Sequence, residues 1–398
     1  MTDQKGSAVP PPNSKIQTKL SIPLDSRPNA PSLVGILAHS NPLGALFQPS
    51  TLHLHPARSE AEIVDEAGAV LDPALAVEGK VGDTVPEEVG KDGSGGGALG
   101  ARARPEPKPL ALILHGVLAH KDQIYHKKLV AGLDMDSFRF DFRANHESPG
   151  EWSMSSFHDD VQDMRAVITH LRKFFNYRVH LLVAHSRGAL DTWTYLAEQE
   201  RNRRAGLVNE ETEVPSYVVC LGSRWRMEKI YDRMKIYEEG FRTEGFFRWK
   251  AKVAGKEVEA LITPAQVEEF AKFPVVDYVR DAPLDSDYLL VMGTADKIVP
   301  SSDVGYYMNA LTSQAGRRPG SVQMHLVEHA DHNFVGHYDE VVETILSWLR
   351  ARQASRTESR VSSGVDDLST TLESTAEDRT GIPSRATATA GVGGSGKL

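Results

Sequence analysis

Ala184-His185-Ser186-Arg187-Gly188 follows the strand-like run Val179-His180-Leu181-Leu182-Val183 and opens a helix-like run from Ala189. A serine between small residues at a strand-to-helix junction can be thrust outward by a sharp, strained turn, and Ala184 and Gly188 leave room for that turn. Taken alone, the pattern is equally a strand end that carries a serine. As a nucleophile, Ser186 needs a base to take its proton, an acid to orient that base, and N–H donors for the oxyanion.

The rest of the chain offers each of these in order. Met324-His325-Leu326-Val327 reads as a late strand, and His332, in the following Ala330-Asp331-His332-Asn333-Phe334, is the candidate base. Tyr288-Leu289-Leu290-Val291-Met292 reads as the strand before it, and the segment Gly293 to Pro300 places Asp296 as the acid, with Asp303 second. Asp331 is a poor acid, because neighbouring side chains on an extended loop diverge. An early strand, Leu110 to Leu114, runs into His115-Gly116-Val117, so the backbone N–H groups of Val117 and Arg187 are the candidate oxyanion donors. Losing one such donor typically costs about 100- to 1000-fold in rate. His115 is read as holding the turn.

Residues from about Pro109 to Arg350 resemble the α/β-hydrolase superfamily, and within it the serine-aminopeptidase-like and cinnamoyl (feruloyl) esterase-like enzymes. The resemblance lies in His115-Gly116 with Lys121-Asp122, Phe140 to Arg143, Glu147-Ser148, Gly150-Glu151-Trp152, the Ser186 turn, the Gly293 to Pro300 loop, and Asp331 to Phe334. Ser, Asp and His also occur in the chain order of that fold. The resemblance implies a mostly parallel central sheet flanked by helices, with a small lid insertion, and a Ser186–His332–Asp296 triad. Substrate is not implied, since the fold hosts many functions. The chain departs from the family at Ala184, where glycine is commoner, and at Ala144 and His146, where glycine is usual. His146 is read as facing solvent.

A chain of 398 residues with 40% hydrophobic content suffices for one large core plus extensions. The net charge of −9 argues against a nucleic-acid partner. A single cysteine, Cys220, excludes an intramolecular disulfide and fits a reducing compartment. No apolar leader or spanning segment stands out, so the expected protein is soluble and cytoplasmic, without stable membrane insertion. Gly396-Lys397-Leu398 gives a weaker, peroxisomal alternative.

Residues 1–13 are polar and Pro-rich and are expected to be disordered. Lys15 to Pro23 and Ser32 to His39, within 14–56, look like an antiparallel strand pair. The acidic, Gly/Pro-rich stretch 57–108 reads as a disordered insertion. From 109 to 350 strands and helices alternate: Phe138 to Phe142 and Tyr217 to Leu221 as strands, Asp160 to Phe175 as a helix with Val161, Met164, Val167, Ile168, Leu171 and Phe175 on its buried stripe, and a closing helix from Tyr338. The Ser/Thr-rich tail 351–398 is expected to be disordered.

Residues 224–281 break the alternation and carry many aromatics among Lys and Arg. They are expected to form the lid, most of the aromatics making its own small core and the others roofing the substrate. Glu228, Asp232, Glu238, Glu239 and Glu244 interleave with the basic residues, so no charge preference follows. His53 and His55, like His325, His329 and His337, are weak metal-ligand patterns, and no metal or cofactor is expected. The chemistry that fits best is hydrolysis of a small-molecule ester through an acyl-enzyme on Ser186. Alternatives are aminopeptidase-like, thioesterase or monoacylglycerol-lipase activity, or a non-catalytic binding protein that keeps the fold.

Overall fold

The computed structural model describes residues 15–24, 30–41, 62–64, 70–71, 106–207 and 213–376, with the side chains of 62–64, 70–71 and 359–376 left aside. The described residues up to Trp348 form one compact unit, and those from Leu349 on a second. In the first unit the chain runs β1 (Ile16–Pro23), β2 (Ser32–His39), β3 (Glu62–Val64), β4 (Val70–Leu71), β5 (Lys108–Leu114), α1 (His126–Gly132), β6 (Asp136–Phe140), α2 (Phe157–Phe175), β7 (Tyr177–His185), α3 (Arg187–Arg204) and β8 (Tyr217–Leu221). After an insertion come β11 (Asp287–Gly293), α7 (Asp303–Thr312), β12 (Val322–Val327) and the start of α8 (Tyr338–Ala376), whose residues from Leu349 on belong to the second unit.

The ten-stranded sheet has the order β12-β11-β8-β7-β5-β6-β2-β1-β3-β4. Its strands from β12 to β6 are parallel, and β2 and β1 join antiparallel. Buried on both faces, β5, β7, β8 and β11 read as continuous apolar runs rather than as alternations. Order reverses at β5, between β6 and β7, so the carboxyl ends of the central strands open a crevice where an open α/β sheet places its site.

The insertion between β8 and β11 holds a 3-10 turn (Met227–Arg233), α4 (Met234–Thr243), β9 (Phe247–Val253), β10 (Lys256–Ile262), α5 (Pro264–Ala271) and α6 (Val275–Arg280). Strands β9 and β10 form a separate antiparallel hairpin through Ala254 and Gly255, at φ +48° and +81°. Tyr237, Ile262 and Val267 bury against Met154 in a small core with Phe241, Phe247 and Trp249, while Trp225, Phe273 and Tyr278 pack on the main core. Trp152 meets Trp249, and Phe157 meets Phe273, so the segment 152–157 seats the insertion.

Three sequence readings change. Within 57–108, β3 pairs with the otherwise free edge of β1, satisfying backbone groups that an edge strand leaves open, and Lys108 already belongs to β5. Helix α2 starts at Phe157, whose ring is buried, a turn before the apolar stripe begins. Helix α8 continues to Ala376, so 351–376 is helical where a structureless tail was expected. His53 and His55, residues 1–14 and the terminal Gly396-Lys397-Leu398 lie outside the described residues. Among the described residues no helix is long and apolar enough to cross a membrane.

Candidate active site

Ser186 caps α3 at φ +53°, ψ −113°, a conformation costly for a residue with a side chain and the one that ejects it from the strand-to-helix bend. Its own N–H is fixed to Leu221 O at 2.8 Å. Small neighbours are required here. A Cβ on Gly188 would stand 2.6 Å from His115 O, and one on Gly116 would stand 3.1 Å from Ser186 Cβ. Ala184, fully buried, fits in place of the commoner glycine.

The structure brings the three distant side chains together. Ser186 Oγ lies 2.8 Å from His332 Nε2, and His332 Nδ1 lies 2.7 Å from Asp296 Oδ2. The other Asp296 oxygen accepts the N–H groups of Ile298 and Val299 at 2.7 and 2.8 Å, which fixes the carboxylate and satisfies its remaining lone pairs. The loops carrying the acid and the base are tied by Ala295 N to Ala330 O at 3.0 Å and by His329 N to Thr294 Oγ1 at 2.8 Å. Gly293 permits this approach, since a Cβ there would meet Ala330 O at 2.3 Å.

The rival acids have other tasks. Asp303 is buried and accepts from Arg226 Nε and from the N–H groups of Trp225 and Arg226, anchoring the start of the insertion. Asp331 caps the N–H groups of Asn333 and Val335 within its own loop. His115 donates from Nδ1 to Gly116 O at 2.7 Å and accepts Phe142 N–H at Nε2 at 3.0 Å. Burial pushes its pKa down to about 4, so it is a neutral strut under the Gly116 turn.

Among the described residues, the N–H groups of Val117 and Arg187 donate to no protein acceptor. The Arg187 side chain turns away from the sheet: Nε holds Asp160 and Nη1 holds Met154 O, both at 2.6 Å, and its guanidinium lies 4.5 Å from the Phe157 ring centre. It thereby pins the segment that seats the insertion.

Sequence reasoning missed that link, and also Gly222 and His185. Gly222, at φ +60°, backs the His332 ring, and a Cβ on it would meet His332 Cε1 at 3.0 Å. The His185 ring centre lies 5.2 Å from that of His332; burial first, and His332 second, hold it well below the ordinary histidine range and neutral. Its position before Ser186 was the available signal.

Ala144 and His146 both adopt positive φ, +58° and +46°, so the positions where glycine is usual keep the glycine-like backbone without the glycine. His146 is exposed, facing solvent as its reading had it. Asp141, His146 and Glu147 could offer metal ligands within 4.8 Å of one another. Lys121 already occupies that cluster, 2.6 Å from Asp141 and bonded to Glu147, so a cation would compete with a buried ammonium. His325 and His337 both face Glu340, at 3.1 and 3.6 Å. A cavity of about 480 Å³ between Gln17, Lys19, Asp122 and Arg139 belongs to β1, β6 and their neighbours and contains none of the three site residues.

Six parallel strands in the order β6-β5-β7-β8-β11-β12 carry the serine after β7, the aspartate after β11 and the histidine after β12. The fold is the α/β-hydrolase fold. No protein-family model matches the chain. It is 25% identical over 243 residues to the uncharacterized protein YDL057W of Saccharomyces cerevisiae, covering 57% of this chain and 69% of that one. Among solved structures it resembles Est1E from Butyrivibrio proteoclasticus, at a TM-score of 0.47 and 12% identity, over 84% of this chain and 99% of that one. It also resembles the Pyrococcus furiosus esterase PF2001, at a TM-score of 0.48 and 14% identity, over 88% and 96%.

Proposed function

We propose that the protein is a serine hydrolase that cleaves carboxylic esters of small acyl or aryl substrates. The observation that carries this reading is the continuous chain from Ser186 Oγ through the His332 ring to Asp296, at 2.8 and 2.7 Å. His332 Nε2 takes the serine proton as Oγ bonds to the ester carbonyl carbon. The carbonyl oxygen becomes an oxyanion beside the N–H groups of Val117 and Arg187. As the tetrahedral species collapses, the C–O bond to the alcohol breaks and His332 gives its proton to that oxygen. Water then attacks the acyl-enzyme, its proton passing to His332 and on to Ser186 Oγ, which releases the acid. Asp296 keeps the proton of the resting ring on Nδ1 and stabilises the imidazolium. None of these steps calls on a cofactor.

The test is a fluorophosphonate probe together with turnover of p-nitrophenyl butyrate. The wild type should label and turn over, and Ser186→Ala should do neither. Labelling that persists in Ser186→Ala defeats the assignment.

A further inference from the structure

Two residues beyond Gly222 the chain buries a guanidinium that makes no ion pair among the described residues. Arg224 is 7% exposed, and among the described residues the one hydrogen bond of its guanidinium runs from Nη2 to Ile298 O at 2.5 Å. The N–H of Ile298 donates to Asp296, so this arginine rests on the loop that carries the acid of the site.

Among the described residues no carboxylate forms an ion pair with Arg224. Both nearby acids are committed elsewhere, Asp296 to His332 and its own loop, Asp303 to Arg226 and two backbone N–H groups. The remaining charged neighbour is Arg233, of like sign, which reaches the Tyr237 hydroxyl from the 3-10 turn of the insertion. Tyr237 in turn packs with Met154, whose carbonyl is held by Arg187, next to the nucleophile. Burial, with Arg233 adding to it, lowers the Arg224 pKa even against the opposing pull of Asp303 and Asp296, as expected of a cation stripped of water without an ion pair of its own.

Leaving a buried charge unpaired costs several kcal/mol, so proteins rarely keep one without a use. A guanidinium offers five donors, and a planar carboxylate is the group that fits them two at a time. We propose that Arg224 and Arg233 together recognise a carboxylate on the acyl chain of the substrate, beneath the insertion. This deepens, and rests on, the ester-hydrolase reading, and makes the substrate a half-ester of a dicarboxylic acid. The same pair repels a substrate ammonium, which sets it against aminopeptidase-like activity.

The experiment compares mono-p-nitrophenyl adipate with p-nitrophenyl hexanoate, matched in chain length and differing in the terminal carboxylate. The wild type should favour the adipate by tenfold or more in kcat/KM, and that ratio should fall at least tenfold in Arg224→Gln and in Arg233→Gln. Arg233 is half-buried, so its variant keeps the test decisive if Arg224→Gln fails to fold. A wild-type ratio near one, or a ratio unchanged in Arg233→Gln, overturns the proposal while the hydrolase reading stands. Should neither ester turn over, the hydrolase reading fails, and calorimetry with adipate decides the anion site separately. Binding weakened at least tenfold by Arg233→Gln upholds the site, whereas no binding at millimolar adipate overturns it.

Discussion

A single methyl group at Gly222 should impair catalysis without touching any reacting atom. The residue ends the turn after β8 at φ +60°, and an added Cβ would stand 3.0 Å from His332 Cε1 and 3.3 Å from Nδ1. Ordinary contact begins at 3.4 Å, so the imidazole must retreat by about 0.4 Å or the backbone must move. The ring is held by hydrogen bonds at both nitrogens, 2.7 and 2.8 Å, and retreat lengthens at least one of them. Displacing a reacting group by 1 Å can cost about 100-fold in rate, so roughly tenfold is expected here, or about 1.4 kcal/mol. Alanine at positive φ also costs about 1 kcal/mol of stability wherever it occurs. Gly206→Ala separates the two effects: it has φ +76° with nothing within 4 Å of the added Cβ, so it bears the backbone penalty alone. The assay is kcat/KM for p-nitrophenyl butyrate beside thermal unfolding of both variants. A folded Gly222→Ala enzyme within twofold of wild type would refute the confinement of the ring, as would equal activity loss in Gly206→Ala.

Asp296→Asn should lower kcat by about 10⁴-fold, because an amide beside Nδ1 favours the wrong tautomer; a loss under tenfold in a folded variant would remove Asp296 from the mechanism. Acid should destabilise the fold well before the surface carboxylates titrate. Burial holds His115 at about 4 and His126 and His170 at about 3, against 6.5 unfolded. Stability present at neutral pH is therefore lost as pH falls from 6.5 towards 4, each ring costing about 1.4 kcal/mol at pH 5.5. Asp163, held at about 6 chiefly by burial, takes up its proton in the folded state and offsets this by under about 1 kcal/mol; Asp191, pushed well above the ordinary carboxylate range by burial, offsets it further, while buried His185, held well below the histidine range, adds to the loss. Urea midpoints at pH 8 and 5.5 measure the slope, which His170→Phe should flatten by about 1.4 kcal/mol over that range; a slope unchanged in the variant contradicts the account. Ala144→Gly should stabilise by about 0.5–1 kcal/mol, since it relieves a positive φ of +58°, with an unchanged or lower melting temperature as the failing result.

The site was legible because each of its residues follows a strand, the buried β7 and β11 and the half-exposed edge strand β12. Apolar runs at β7 and β11 and the alternation at β12 mark where the chain enters the sheet, and Ser186, Asp296 and His332 follow those exits. Long buried strands override local propensity, so their positions survive ignorance of the tertiary structure. The hairpin β9–β10 was missed for the opposite reason. Its alternation, Phe247-Arg248-Trp249-Lys250 and then Glu257-Val258-Glu259-Ala260, was read only as aromatic and charged composition, although Ala254-Gly255 at positive φ was a usable turn signal. The extension of α8 past Arg350 lacked any apolar period that could announce it.

Charge was harder to read than pattern. In sequence, Arg187, Arg224, Arg226 and Arg233 are four arginines among interleaved acids, and counting them yields no preference. Folding sorts them by what they meet. Arg187 finds Asp160 and Arg226 finds Asp303, each pair closing on itself at 2.6 and 2.7 Å. Arg224 enters the interior bonded to a carbonyl, beside another arginine and two carboxylates already held by other partners. Whether a basic residue is a strut or a receptor depends on whether a carboxylate reached it first. That is a property of non-local contacts, and it is why the substrate's charge became arguable only once the partners of each guanidinium could be named.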